Sequence, residues 1–131
     1  MKIRYLNPST MPTPHGYSQV IEYAGNGKLV FISGQVSAHA NGGIIGTNSL
    51  EEQAHQTFTN IKNAVEAVGG EMQHLVKLNS FLKDINQIEI LRKIRDMYIN
   101  TQNPPASTAI QTAFDDETIL VEIDAIAIIP L

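Results

Sequence analysis

The stretch Thr118-Ile119-Leu120-Val121-Glu122-Ile123-Asp124-Ala125-Ile126-Ala127-Ile128-Ile129-Pro130-Leu131 limits what this chain can become more than any other. It is dense in β-branched residues, and too short and too charged to cross a bilayer, so it reads as a strand. Successive side chains of a strand point to opposite faces, which puts Ile119, Val121, Ile123, Ala125, Ala127 and Ile129 on one side. Leu120, Glu122, Asp124, Ile126 and Ile128 share the other. Both sides are mostly apolar, so both demand cover. Glu122 and Asp124 are the exception. Carboxylates in an otherwise buried strand need partners or a wet cavity, because unpaired buried charge is costly. They are the first mark of a site.

The rest of the chain supplies the cover. Ile3 to Leu6 reads as a short strand ended by Asn7-Pro8, and Ser9 to Gly16, with Pro12 and Pro14, is loop. Ser18 to Ala24 and Lys28 to Ser33 are two further strands, and the Asn26-Gly27 turn signal between them predicts a β-hairpin. Gly34-Gln35 then breaks the apolar run, at a point suited to a close approach of the backbone. After a turn-rich excursion from Ala38 to Asn48, Ser49 and Glu52 match a capping box. Leu50, Ala54, Phe58, Ile61, Val65 and Val68 give the helix that follows one apolar stripe, and Gly69-Gly70 stops it. Val76 to Lys83 alternates as a strand. A second helix, with Ile88, Leu91, Ile94 or Arg95, and Tyr98 on its stripe, runs to Asn100, and Asn103-Pro104-Pro105 ends it. Ala106 to Phe114 is another strand, and Asp115-Asp116-Glu117 turns the chain into the closing one.

Two helices can cover only one face of such a mixed sheet. The closing strand asks for cover on both, so the second face is expected to meet other copies of the chain. The expected architecture is one α+β domain over residues 1–131, an α/β sandwich whose mixed six-stranded sheet carries two helices on one face. Charged residues make up 17% of the chain, below the ~25% usual for soluble domains, in keeping with surface hidden in an oligomer. A net charge of −4 and the absence of any Lys/Arg run give nucleic acid no phosphate-neutralising surface. With no cysteine, disulfides, thiolate catalysis and thiolate metal sites are excluded. The first residues lack the apolar core of a signal peptide, so a cytoplasmic protein with no membrane partner is expected.

His15, His39, His55 and His74 show no metal-type spacing, and Gly25-Asn26-Gly27 does not precede a helix as a phosphate loop does. No metal and no cofactor is therefore expected. Ser33 lacks the strand-to-helix elbow of a triad nucleophile. Tyr17, Ser33, Glu122 and Asp124 remain. A purely structural account makes Tyr17 a surface turn residue and Ser33 a strand terminus, with both carboxylates bonded to backbone amides or arginines at a subunit interface.

Asn7-Pro8, Gly16-Tyr17-Ser18-Gln19 and Phe31-Ile32-Ser33-Gly34-Gln35 resemble the opening signature of the Rid (reactive intermediate deaminase) or YjgF family. Asn60-Ile61-Lys62-Asn63-Ala64-Val65, Val68-Gly69-Gly70, Leu82-Lys83-Asp84 and Val121-Glu122-Ile123-Asp124-Ala125-Ile126-Ala127 continue the likeness in register along nearly the whole chain. The resemblance implies a chorismate-mutase-like fold and a homotrimer with sheets inside, helices outside and clefts between subunits. It also implies hydrolysis of small imines or enamines released by pyridoxal-phosphate enzymes. Glu122 would then position or activate water, with Tyr17 and Ser33 lining the cleft; Asp124 is assigned a structural role.

The departures matter as much as the likeness. The family's proline-alanine-arginine motif reads Pro105-Ala106-Ser107-Thr108, so Ser107 stands where the substrate-binding arginine is found. A serine cannot offer a carboxylate the two-pronged charged donor it prefers. Arg92 occupies a helix position where active members often carry asparagine. It either returns a cation to the cleft from another wall or pairs with Glu122 or Asp124. One extra residue also lies between Thr108 and Val121. The expectation is a trimeric hydrolase of a small metabolite whose activity on 2-amino acid imines is weak or absent, with Tyr17, Ser33, Arg92 and Ser107 binding substrate. The alternative is a non-catalytic metabolite-binding or regulatory trimer. Ribonuclease action, also attached to the family name, finds no basic groove here.

Overall fold

The structure, a computed structural model, describes residues 2–131. In chain order its elements are β1 (Lys2–Leu6), β2 (Val20–Ala24), β3 (Gly27–Gln35), α1 (Leu50–Ala67), β4 (Leu75–Leu82), α2 (Ile88–Arg95), β5 (Ala106–Gln111) and β6 (Val121–Pro130). Single 3-10 turns at Met72–His74 and Ile85–Gln87 lead into β4 and α2. No helix among the described residues is long and apolar enough to cross a membrane.

The closing strand β6 is central. The four-stranded sheet runs β3-β6-β4-β5, with β6 antiparallel to both neighbours and β4 parallel to β5. Its odd-numbered side, Val121, Ile123, Ala125, Ala127 and Ile129, is buried in one cluster with Ala54, Phe58, Ile61 and Val65 of α1 and Leu91 and Ile94 of α2. Burying each large aliphatic or aromatic side chain here contributes about 1.5–3 kcal/mol. The alternation therefore fixes which side of the sheet the helices cover.

The expected six-stranded sheet is divided. β1 and β2 form their own antiparallel ladder from Lys2↔Ala24 to Leu6↔Val20, apart from the other four strands. The expected β2–β3 hairpin does not form either. A tight Asn-Gly hairpin turn needs positive φ at both central residues. Here Asn26 and Gly27 keep negative φ and the positive value falls on Gly25, at 99°. The turn thus hands the chain from one ladder to another.

α1 begins as expected, with the Ser49 hydroxyl accepting from the Glu52 amide at 3.1 Å. The return half of the capping box is absent, because the Ser49 amide donates to the Gly46 carbonyl instead. At the other end Gly69 (φ 83°) turns the chain, and the Gly70 amide bonds the Val65 carbonyl at 2.9 Å. α2 stops at Arg95, short of Asn100, where Met97 and Tyr98 donate back three residues instead of four. β6 starts at Val121 and not at Thr118 because the buried side chain of Gln53 takes the preceding backbone. Its Nε2 donates to the Thr118 carbonyl at 2.6 Å and its Oε1 accepts from the Leu120 amide at 2.9 Å.

The other side of the sheet is open. Leu29 pairs with Ile128 and Phe31 with Ile126 across β3 and β6, and Leu29 and Phe31 are 57% and 73% exposed. Glu122 and Asp124 share this side, opposite Phe81 and Asn79 of β4.

Candidate functional site

The five residues expected to act together fall into two groups on opposite sides of the sheet. Tyr17, Arg92 and Ser107 line a cavity of about 90 Å³ on the helix side. Register explains Ser107: it pairs with Leu78, whose side chain is in the core, so its hydroxyl points toward α2. Ser80 and Ala109 join it from the strands, and α2 contributes Arg92 and Arg95. Tyr17 is held over the cavity by its neighbour Ser18, which donates from Oγ to the Pro104 carbonyl (2.6 Å) and from its amide to that of Pro105 (3.2 Å). The loop is tied down further by Gln19, whose amide donates to Asn7 Oδ1 at 2.8 Å. A wider groove of about 490 Å³ shares His15, Tyr17, Arg92 and Arg95 with the cavity and adds Glu89 and Asp96.

Ser33 and Glu122 belong to the open side. The β3–β6 register passes from Ile32↔Ala125 to Gln35↔Ile123, so Ser33 and Gly34 together face the single position of Asp124. This is a β-bulge, a device that re-aims side chains. Gly34 is where the close approach occurs: a β-carbon built on it would lie 2.8 Å from Glu122 Oε2 and 3.2 Å from its Cγ. Glu122 is half-buried and has no hydrogen-bond or ion-pair partner among the described residues. Asp124 differs. It accepts from Asn79 Nδ2 at 2.8 Å across the strands.

Within one chain Arg92 pairs with Glu89 one turn back, and not with Glu122 or Asp124. Those carboxylates lie on the other face of the sheet.

Arg95 and His15 are the lining residues the sequence did not single out. Arg95 was indistinguishable from Ile94 on the helical stripe; Ile94 enters the core, and Arg95 packs beside Gly16. Gly16 has φ 80°, which favours glycine, and a β-carbon there would lie 2.6 Å from Arg95 Nη2, so a side chain would also push the guanidinium aside. The Arg92–Arg95 spacing, three apart on one helix face, was the available signal. Among the described residues, no group of three or more His, Asp or Glu side chains is placed to hold a metal ion.

These features describe an α+β protein with a polar, arginine-walled cavity between a helix and a sheet, and a bare carboxylate on the sheet's far side. A family profile described as Endoribonuclease L-PSP matches residues 8–129. A RutC family protein of Synechocystis is 32% identical over 132 residues, covering 99% of each chain. A 2-iminobutanoate/2-iminopropanoate deaminase of Dermatophagoides farinae is 30% identical over 127 residues, covering 96% of each. Among solved structures, a protein of unknown function of the Rid family from Yersinia pestis aligns with a TM-score of 0.84 at 27% identity, over 97% of this chain and 98% of that one. The chain belongs to this family, the Rid or YjgF proteins.

Proposed function

We propose that this protein is a cytoplasmic homotrimer whose intersubunit clefts hydrolyse an imine, an enamine or a related small reactive metabolite. The observation that carries this reading is Glu122, a half-buried carboxylate without a partner among the described residues, lying over a residue whose missing side chain makes room for it. Keeping such a group unpaired is costly, and violations of this kind concentrate at functional sites. Support for a shared cleft comes from the two groups of residues facing opposite ways. Support for the trimer comes from the uncovered apolar side, where Leu29 and Phe31 stand exposed and a further copy would bury them. The name of the Dermatophagoides farinae relative, a 2-iminobutanoate/2-iminopropanoate deaminase, supports the chemistry.

In this reading Glu122 accepts a proton from a water that adds to the imine carbon. Glu122 returns that proton to the substrate nitrogen, giving a carbinolamine. The hydroxyl proton of the carbinolamine then passes by way of Glu122 to the amine as the C–N bond breaks, leaving a carbonyl product and ammonia. Tyr17, Ser33, Arg92 and Ser107 hold the substrate so that water meets the carbon at the right angle, which is most of what the reaction requires. Because Ser107 replaces the family's arginine, 2-amino acid imines are held poorly and turn over weakly or not at all. That same serine favours the second reading, a trimer that binds a metabolite without converting it.

Imines generated in situ by an amino-acid oxidase test the first reading, with ammonia and keto-acid release as the readout. Slow release that falls further in Arg92→Ala supports it. Fast release unaffected by Arg92→Ala refutes the stated consequence of losing the arginine. Ligand-dependent thermal stabilisation without turnover selects the second reading.

A further inference from the structure

We propose that anion recognition has moved from β5 to α2, and that Arg95, assisted by Arg92, holds a compact oxyanion of the ligand inside the cavity over Ser80 and Ser107. The proposal rests on the cleft described above being the ligand site, and it names the part of the ligand that this wall recognises.

Arg95 has only 11% of its side chain exposed. Its Nε donates to Asp96 Oδ1 at 3.0 Å, and Nη2 stands 3.0 Å from the same oxygen. One carboxylate oxygen therefore occupies one edge of the guanidinium, and Nη1 has no protein acceptor among the described residues. A guanidinium carries five donors in a rigid fork and cannot discharge by losing a proton. One so enclosed and so under-used calls for an acceptor from outside the chain. Asp96 holds the head from one side, and on the other Gly16 leaves the room that Nη2 occupies, which a side chain there would crowd. Arg95 is thus oriented before a ligand arrives, whereas Arg92 is about half exposed and would have to leave or share its pairing with Glu89 to join it.

The cavity supplies matching partners. Ser80 is only 6% exposed, yet its hydroxyl makes no hydrogen bond within the described residues and lines the cavity with that of Ser107. About 90 Å³ has room for a few waters or one carboxylate- or phosphate-sized group. An arginine at 107 would project into this space, so the serine there and the arginine pair on α2 belong together. The ligand class is a small molecule ending in a carboxylate or a phosphate, its anionic end against α2.

Acetate, pyruvate and inorganic phosphate, at constant ionic strength, serve as probes in thermal-shift and calorimetric titrations, with acetamide as the neutral control. The expected result is saturable binding of at least one oxyanion and none of acetamide. Acetate or pyruvate binding identifies a carboxylate site, and phosphate binding a phosphate site. Arg95→Gln should weaken that binding at least ~10-fold, as loss of a charge-assisted hydrogen bond does. Arg92→Gln should weaken it less. Ser107→Asp, which places a carboxylate in the cavity, should abolish binding while keeping the fold, and it decides the matter if Arg95→Gln does not fold. No oxyanion binding, equal binding of acetamide, or binding unchanged in the variants overturns the proposal. Imine turnover is scored separately. Turnover with a KM unchanged by Arg95→Gln sinks this inference and leaves the enzymatic reading standing, whereas Arg95-dependent oxyanion binding without turnover does the reverse.

Discussion

If the cleft joins the Tyr17–Arg92–Ser107 wall of one subunit to the Ser33–Glu122 wall of the next, subunits damaged on different walls must complement each other. Within one chain the walls cannot meet. Ser107 lies on β5 and Glu122 on β6, with β4 between them. Two strand spacings amount to about 10 Å, and the side chains point to opposite faces of the sheet. Ser107→Asp blocks the first wall and Glu122→Gln removes the carboxylate of the second. Neither residue has a side-chain partner among the described residues, so both variants should fold. Each homotrimer alone should be inactive. In an equimolar mixture assembled by co-expression or joint refolding, each site draws its two walls independently, so about one in four is intact. Ammonia release should therefore recover to roughly a quarter of the wild-type rate, in heterotrimers whose composition mass spectrometry verifies. A mixture no more active than the average of its two parents would refute the shared cleft.

Other perturbations test single links of the same chain of reasoning. Phe31→Glu should dissociate the assembly without unfolding the subunit. The ring is 73% exposed in one chain and contributes about 1.5–3 kcal/mol only when covered by another; light scattering showing an unchanged mass would place the interface elsewhere. Gly34→Ala puts a methyl group against the flexible end of Glu122. It should shift stability by less than about 1 kcal/mol yet lower kcat, and a variant with full activity would remove Glu122 from the chemistry. Asp116 is held below its ordinary carboxylate value by the Thr118 hydroxyl and by the Thr118 amide. A depressed folded-state pKa stabilises above the unfolded value and loses that effect as pH falls through the folded one. Wild-type protein should thus keep this turn intact down to below pH 3.8. Thr118→Val should bring the Asp116 titration, followed by carbon NMR, back toward that value; an unmoved titration would assign the shift to something else.

What could be read from the sequence was what depends on neighbours a few residues away. The α1 stripe, its Ser49 cap and the two-sided alternation of β6 follow from helix and strand periods alone, and they fixed the helix-covered side of the sheet. The β2–β3 hairpin was misread because an Asn-Gly pair states a preference for a turn, whereas the choice of ladder partner is made by the whole sheet. Gln53 left no signal either: its one side chain replaces strand pairing at Thr118 and Leu120 through contacts more than 60 residues away.

The site shows the same division more sharply. Asp124 and Glu122 look alike in sequence, two residues apart on one strand, and only the register separates them. Asn79 lies opposite Asp124 and Phe81 opposite Glu122, so one carboxylate finds a donor and the other finds a ring. Arg95 illustrates the converse. On a helical wheel it competes with Ile94 for the core, and the choice rests on Gly16, nearly 80 residues earlier, where the lack of a side chain leaves space for a guanidinium. If Ser107 stands in for a strand arginine, the proposed anion site means that the change does not simply delete a charge from this fold. The cavity left beside Ser107 is bounded by two arginines of α2, each with only one carboxylate mate among the described residues, Glu89 for Arg92 and Asp96 for Arg95. An anion drawn to that wall would meet its guanidinium partners from the helix side rather than from the strand. The carbon it carries would then present a different position to a Glu122 supplied by the next subunit, and the shape of the substrate would have to differ accordingly.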